Sequence, residues 1–165
     1  DIQNKTFDYI VAPNALTTTL YGIWHDGKDN YTLAGGFTSK DAGSASQAFL
    51  ADWNSRTKLM TNLRTYQGDN QTVSSLVTHF EGITSSPGGY NIAAGFANKD
   101  NEAGAAFAHI RRHYDGTFGE AEWQTLRYPD QGVKMTTSDT VFENSILGIL
   151  VSKDGLASYL AKIGF

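Results

Sequence analysis

His79 and Glu81 stand two residues apart in a stretch, Val73 to Thr84, that reads as a β-strand, so both side chains leave one face. His109 lies in a second such stretch, Ala105 to Tyr114. In a meander these two strands approach each other with one strand between them. Imidazole titrates near neutral pH and a neighbouring carboxylate tunes it. His79, Glu81 and His109 are therefore the candidate catalytic residues, as general acid and base. His109, Arg111 and His113 share a strand face, but no third ligand follows at a metal-site spacing. Asp26, Asp29 and Asn30 offer loop oxygens, as do Asp100, Asn101 and Glu102, yet neither group has the spacing of a calcium loop. Turn chemistry accounts for both. No metal site and no cofactor is predicted.

A second set is aromatic. Trp24 and Trp53 each end a predicted strand, and Tyr31 and Tyr90 open two others. These four are the candidate ligand-binding residues, as a stacking platform for a glycan or the wall of a pocket for a small apolar molecule. Nucleophile settings are missing. There is no Gly-x-Ser-x-Gly, and the absence of Cys removes thiolate catalysis, thiolate metal sites and disulfides together.

The elements that carry these residues are written more than once. Gly22-Ile23, Tyr31-Thr32-Leu33-Ala34-Gly35-Gly36-Phe37, Lys40-Asp41 and Ala48-Phe49 recur as Gly82-Ile83, Tyr90-Asn91-Ile92-Ala93-Ala94-Gly95-Phe96, Lys99-Asp100 and Ala106-Phe107. The offset is about 60 residues, the scale of a supersecondary repeat. A third copy is marked by Gly148-Ile149 and Ser158-Tyr159-Leu160-Ala161, without a counterpart of the Tyr-x-Leu-Ala-Gly-Gly-Phe strand. His79 then falls where the first unit has Thr19, Glu81 where it has Tyr21, and His109 where it has Ala51. Departures between copies are not needed for the shared fold, which is what singles out these three.

Asp26-Gly27 and Asp115-Gly116 are hairpin signals. Strands are expected over Thr6–Ile10, Thr17–Trp24, Tyr31–Ser39, Gln47–Trp53, Lys58–Tyr66, Val73–Thr84, Tyr90–Asn98, Ala105–Tyr114, Thr117–Tyr128, Thr140–Val151 and Leu156–Ile163. The fold class is all-β: an antiparallel meander of about ten strands from two to three repeats, closed or nearly closed into a barrel. The alternative is a set of propeller-like blades completed by oligomerisation. The whole chain, 1–165, is one domain with units at about 6–65, 66–122 and 123–165. Ala48 and Leu50 against Phe49 and Trp53, and Ala106, Ala108 and Ile110 against Phe107, make two strands apolar on both faces. Such strands need either a filled barrel with an outer contact or a stacked sheet, which points to a homo-oligomer.

Only 18% of residues are charged, the net charge is −4, and Lys and Arg are scattered. That argues against a nucleic-acid partner, which needs a basic stripe. No apolar run is long enough for a membrane span. Three Asn-x-Thr acceptors, at Asn4, Asn30 and Asn70, and a chain opening at Asp1 rather than Met fit a secreted or periplasmic protein.

Phe7, Ile10, Pro13, Ala15, Tyr21-Gly22-Ile23, Asp26-Gly27, Gly36 and Ala48-Phe49-Leu50 together resemble the HAF-type extracellular repeats of secreted bacterial proteins. The second unit keeps Gly82-Ile83 and Ala106-Phe107 without the Pro-x-Ala element. The resemblance implies an exported β-repeat protein and transfers no catalytic residue. The functional expectation is a secreted binding or structural module. The alternatives are a small barrel lyase or isomerase using His79, Glu81 and His109 on an apolar molecule, and a carbohydrate-binding module.

Overall fold

A computed structural model describes residues 7–41, 46–67, 75–98 and 103–164. The acceptors at Asn4 and Asn70 and the loop Asp100–Glu102 lie outside them. Among the described residues every element is a strand, and none is a helix. The first sheet is a meander of β1 (Ala15–His25), β2 (Asn30–Ser39), β3 (Ser46–Asn54) and β4 (Leu59–Tyr66). The second repeats it with β5 (Ser75–Ser86), β6 (Gly89–Asn98), β7 (Ala103–Arg112) and β8 (Phe118–Leu126). One parallel bridge, Ser46 to Val77, links the two. The third sheet holds β9 (Val133–Thr136), β10 (Thr140–Phe142), β11 (Ser145–Ser152) and β12 (Gly155–Lys162).

No sheet closes into a barrel, and the described strands number twelve rather than about ten. The strands depart from the expected set at both ends of the chain. The expected strand Thr140–Val151 is broken by a tight turn at Glu143, whose φ of 53° takes the chain from β10 back along β11. β9 then pairs the far half of β11, so β9 and β10 together form one interrupted first strand. At the other end, residues 7–12 make no strand. They lie as a strap across the first sheet, with Lys58 Nζ donating to Asp8 and Thr18 Oγ1 accepting from the Ala12 amide at 3.0 Å.

The strands that are apolar on both faces explain why stacking replaces closure. Each sheet has a front, turned to the next sheet in chain order, and a back. The front of the first sheet, with Ala34, Ala48 and Leu50, packs on the back of the second, with Phe80, Ile92, Ala94, Ala106, Ala108 and Ile110. The front of the second, with Ala93 and Phe107, packs on Val141, Ile146 and Ile163 at the back of the third. The back of the first sheet, with Phe37, Phe49 and Ala51, is covered by Ala12 of the strap. Phe49 and Leu50, and likewise Phe107 and Ala108, thus serve opposite cores, and all four are fully buried.

The repeated Gly-Ile marks the seams. A Cβ on Gly22 would lie 3.1 Å from Ile83 of the second sheet, and one on Gly82 would lie 3.0 Å from Thr140 of the third. Each glycine lets the following first strand approach. Gly148 does not belong to that series. Its Cβ would meet the Thr137 carbonyl as that of Gly35 meets the Thr19 carbonyl, so β11 is the counterpart of β2. The third unit therefore has the middle strand that the sequence pattern leaves out.

Candidate functional site

His79 and Glu81 sit on β5 where the ladder steps from Phe80–Ala94 to Gly82–Ala93, leaving Glu81 as the extra residue of a bulge. β1 has the same bulge at Tyr21, between Leu20–Gly35 and Gly22–Ala34. His79 lies opposite Gly95 as Thr19 lies opposite Gly36, so the pairing of the two copies at these positions holds in three dimensions. His79 Nε2 is 2.5 Å from Glu81 Oε1, and both side chains are half-buried. The Tyr21 ring is tilted over the imidazole at 6.0 Å between centroids. Gly95 and Gly36 make the space: a Cβ on either would fall 3.0 Å from an atom of His79. The pair is a histidine–carboxylate couple wedged at the first seam.

His109 is not part of it. It lies opposite Asn91, four residues along β6 from Gly95. At the rise of a strand that is about 13 Å away. The Asn91 amide nitrogen donates to the Glu143 carbonyl at 2.7 Å, which turns its oxygen to His109 Nδ1 at 2.9 Å. Nδ1 therefore carries a proton and donates it to the Asn91 oxygen. Ser86 Oγ lies 3.3 Å from the same atom. These side chains line an open groove of about 310 Å³ with Pro87, Arg111 and Glu122. The three-residue acid–base cluster expected from the sequence thus divides into two sites, the His79–Glu81 couple at the seam and His109 in the groove with Glu122.

The register also corrects the twin of His109. Thr32 pairs with Asp52, and its counterpart Asn91 pairs with His109. His109 stands in the place of Asp52, not Ala51. Matching Ala48-Phe49 to Ala106-Phe107 by identity slides the third strand by one residue, and a one-residue slip exchanges its faces.

The aromatic set does not form a platform. Trp53 is only 8% exposed, and Tyr90 is buried with its hydroxyl 3.0 Å from Thr32 Oγ1. Trp24 packs edge-on against Tyr90 at 5.6 Å, and Tyr31 stacks on His25 at 4.4 Å. A sugar needs an open ring face, and Trp53 and Tyr90 have given theirs to the core.

Asp26 behaves as turn chemistry requires. Its carboxylate accepts the Lys28 amide at 2.9 Å, which lowers its pKa, and Asp29 pairs with Arg56. Asp115 is lowered in the same way by the Thr117 amide in the second hairpin. Among the described residues no three His, Asp or Glu side chains are grouped to hold a metal ion.

Sequence reasoning missed two features. Arg112 Nη2 of the second sheet reaches Asp52 Oδ2 of the first at 2.5 Å, with its guanidinium 4.2 Å from the Phe118 ring centroid. The second is the front of the third sheet. Phe142, Leu147, Ile149, Leu156 and Leu160 are all exposed there, at 40% to 75%. Alternation along β11 could have flagged Leu147 and Ile149, but which face is covered depends on the stacking.

No family model matches the chain, and no curated protein or solved structure matches it either.

Proposed function

We propose that this protein is an exported, non-catalytic β-repeat module that binds or builds by sheet-on-sheet association, its working surface being the front of the third sheet. One observation carries the reading. Ala34–Leu50, Ala93–Phe107 and Leu147–Leu160 are equivalent ladder pairs on the fronts of the three sheets. The first two are buried under the next sheet, whereas Leu147 and Leu160 remain 47% and 68% exposed. An apolar surface of this kind marks an interaction site. The three stacked sheets are read as propeller-like blades whose series continues in an oligomer. Low charge, absence of Cys and the likeness to HAF-type repeats support an extracellular or periplasmic setting. The acid–base alternative loses support from the separation of His109 from His79, and the carbohydrate alternative from the burial of Trp53 and Tyr90.

Sedimentation velocity from about 1 to 100 µM, the range of weak protein association, tests this reading. The expected result is a concentration-dependent species above 18.0 kDa that disappears in Leu147→Lys/Leu160→Lys, with its unfolding transition unchanged. A wild-type chain that stays at 18.0 kDa throughout overturns self-association.

A further inference from the structure

We infer that the front of the third sheet is covered by the strapped back of the first sheet of a second copy, so that chains associate head to tail. The inference rests on the reading of that front as the working surface and adds which surface it meets.

Both internal seams use equivalent faces: the face bearing Ala34 and Leu50 in the first sheet, and its counterpart bearing Ala93 and Phe107 in the second, each meets the opposite face of the next sheet. The contact is set by position. Leu50 and Phe107 occupy the same front place, and β12 puts Leu160 there, opposite Leu147 as Leu50 is opposite Ala34. A third seam of the same kind needs a back. The first sheet has the only back, among the described residues, that no sheet covers. Its strap covers Phe49 and Ala51 but leaves Phe7, Tyr9 and Val11 exposed, at 90%, 91% and 42%, and Ile23 of β1 is 63% exposed. The stack thus ends in two apolar surfaces on opposite sides, one a front and one a back. A self-complementary dimer would use one surface twice, whereas a heterologous contact uses both ends and either closes a ring or extends a filament. Repetition of the internal seam favours the second kind.

The chain has no Cys, so single cysteines report the contact cleanly. Tyr9→Cys and Leu160→Cys chains, carrying different tags and each checked for the wild-type circular dichroism spectrum, are mixed and oxidised. Head-to-tail association predicts a mixed disulfide several-fold more abundant than either self-disulfide, suppressed when Leu147→Lys is added to the Leu160→Cys chain. A dominant Leu160–Leu160 disulfide means that fronts pair with fronts. That overturns the head-to-tail arrangement and leaves the working surface standing. No cross-link together with an 18.0 kDa species in sedimentation overturns both.

Discussion

Asp52 and Arg112 meet across the first seam, Oδ2 to Nη2 at 2.5 Å, with the side chains 17% and 26% exposed. Asn62 Nδ2 donates to the same carboxylate oxygen at 2.6 Å, and the other guanidinium nitrogen, Nη1, is buried without a partner. The pair joins two sheets that otherwise touch mainly through small and apolar side chains. Around it, Arg64 donates to the Phe118 carbonyl at 2.6 Å and Tyr66 to the Gly119 carbonyl at 3.0 Å, tying the outer strand β4 to β8.

Removing the carboxylate strands a guanidinium that is already incompletely satisfied. Asp52→Ala is expected to cost about 2–3 kcal/mol, close to the lower end for breaking a buried pair because some solvent reaches it. Arg112→Met leaves Asp52 with Asn62 and keeps the packing on Phe118, so it costs less. Adding Arg112→Met to Asp52→Ala should recover part of the loss. Urea midpoints of the four proteins check this, and strictly additive costs would show that the two residues do not act as a pair.

His79 fills the place of Thr19, and Thr19 Oγ1 donates to the Gly36 carbonyl at 3.1 Å from the same ladder position. The bulge that follows is present with Tyr21 or with Glu81. His79→Thr is therefore expected to shift stability by no more than about 1 kcal/mol, or roughly 2–4 °C in Tm. Association in sedimentation should be unchanged. A loss beyond about 3 kcal/mol would assign the His79–Glu81 pair a structural role in the seam that its twin does without.

Two phenols make the chain sensitive to alkali. Burial pushes the Tyr66 hydroxyl far up and that of Tyr159 to about 12, and each donates to a backbone carbonyl, of Gly119 and Thr137. Below about pH 10, the ordinary tyrosine value, both states keep these protons and the stabilisation is complete. Between there and about 12 the unfolded chain releases protons that the folded chain holds, so stability falls as pH rises. Tyr159→Phe should lower stability by about 1 kcal/mol at neutral pH through the lost hydrogen bond. It should also flatten the alkaline decline, measured as urea midpoint against pH. An unchanged slope in both Tyr159→Phe and Tyr66→Phe would remove these groups as its source.

Much of the scaffold is legible in one dimension. The doubled Gly-Ile and Tyr-x-Leu/Ile-Ala blocks mark equivalent strands, Asp26-Gly27 and Asp115-Gly116 mark turns with glycine φ of 85° and 86°, and the two-faced strands around Phe49 and Phe107 require cover on both sides without choosing between a filled barrel and stacked sheets. These are local patterns, set by side-chain alternation and turn geometry. The candidate sites were less legible. His79 and Glu81 do meet, because two residues on one strand need no outside information.

Register and stacking lie beyond such local patterns. Bulges at Tyr21 and Glu81 change which face each following residue uses, and a single residue moves His109 from the place of Ala51 to that of Asp52. Side chains alternate with a period of two, so any such step inverts a face, and the hydrogen bonds that set it join residues far apart in the chain. For the same reason alternation along the chain places Leu147 and Leu160 on strands, whereas the order of the three sheets leaves these two facing solvent while Leu50 and Phe107 are buried.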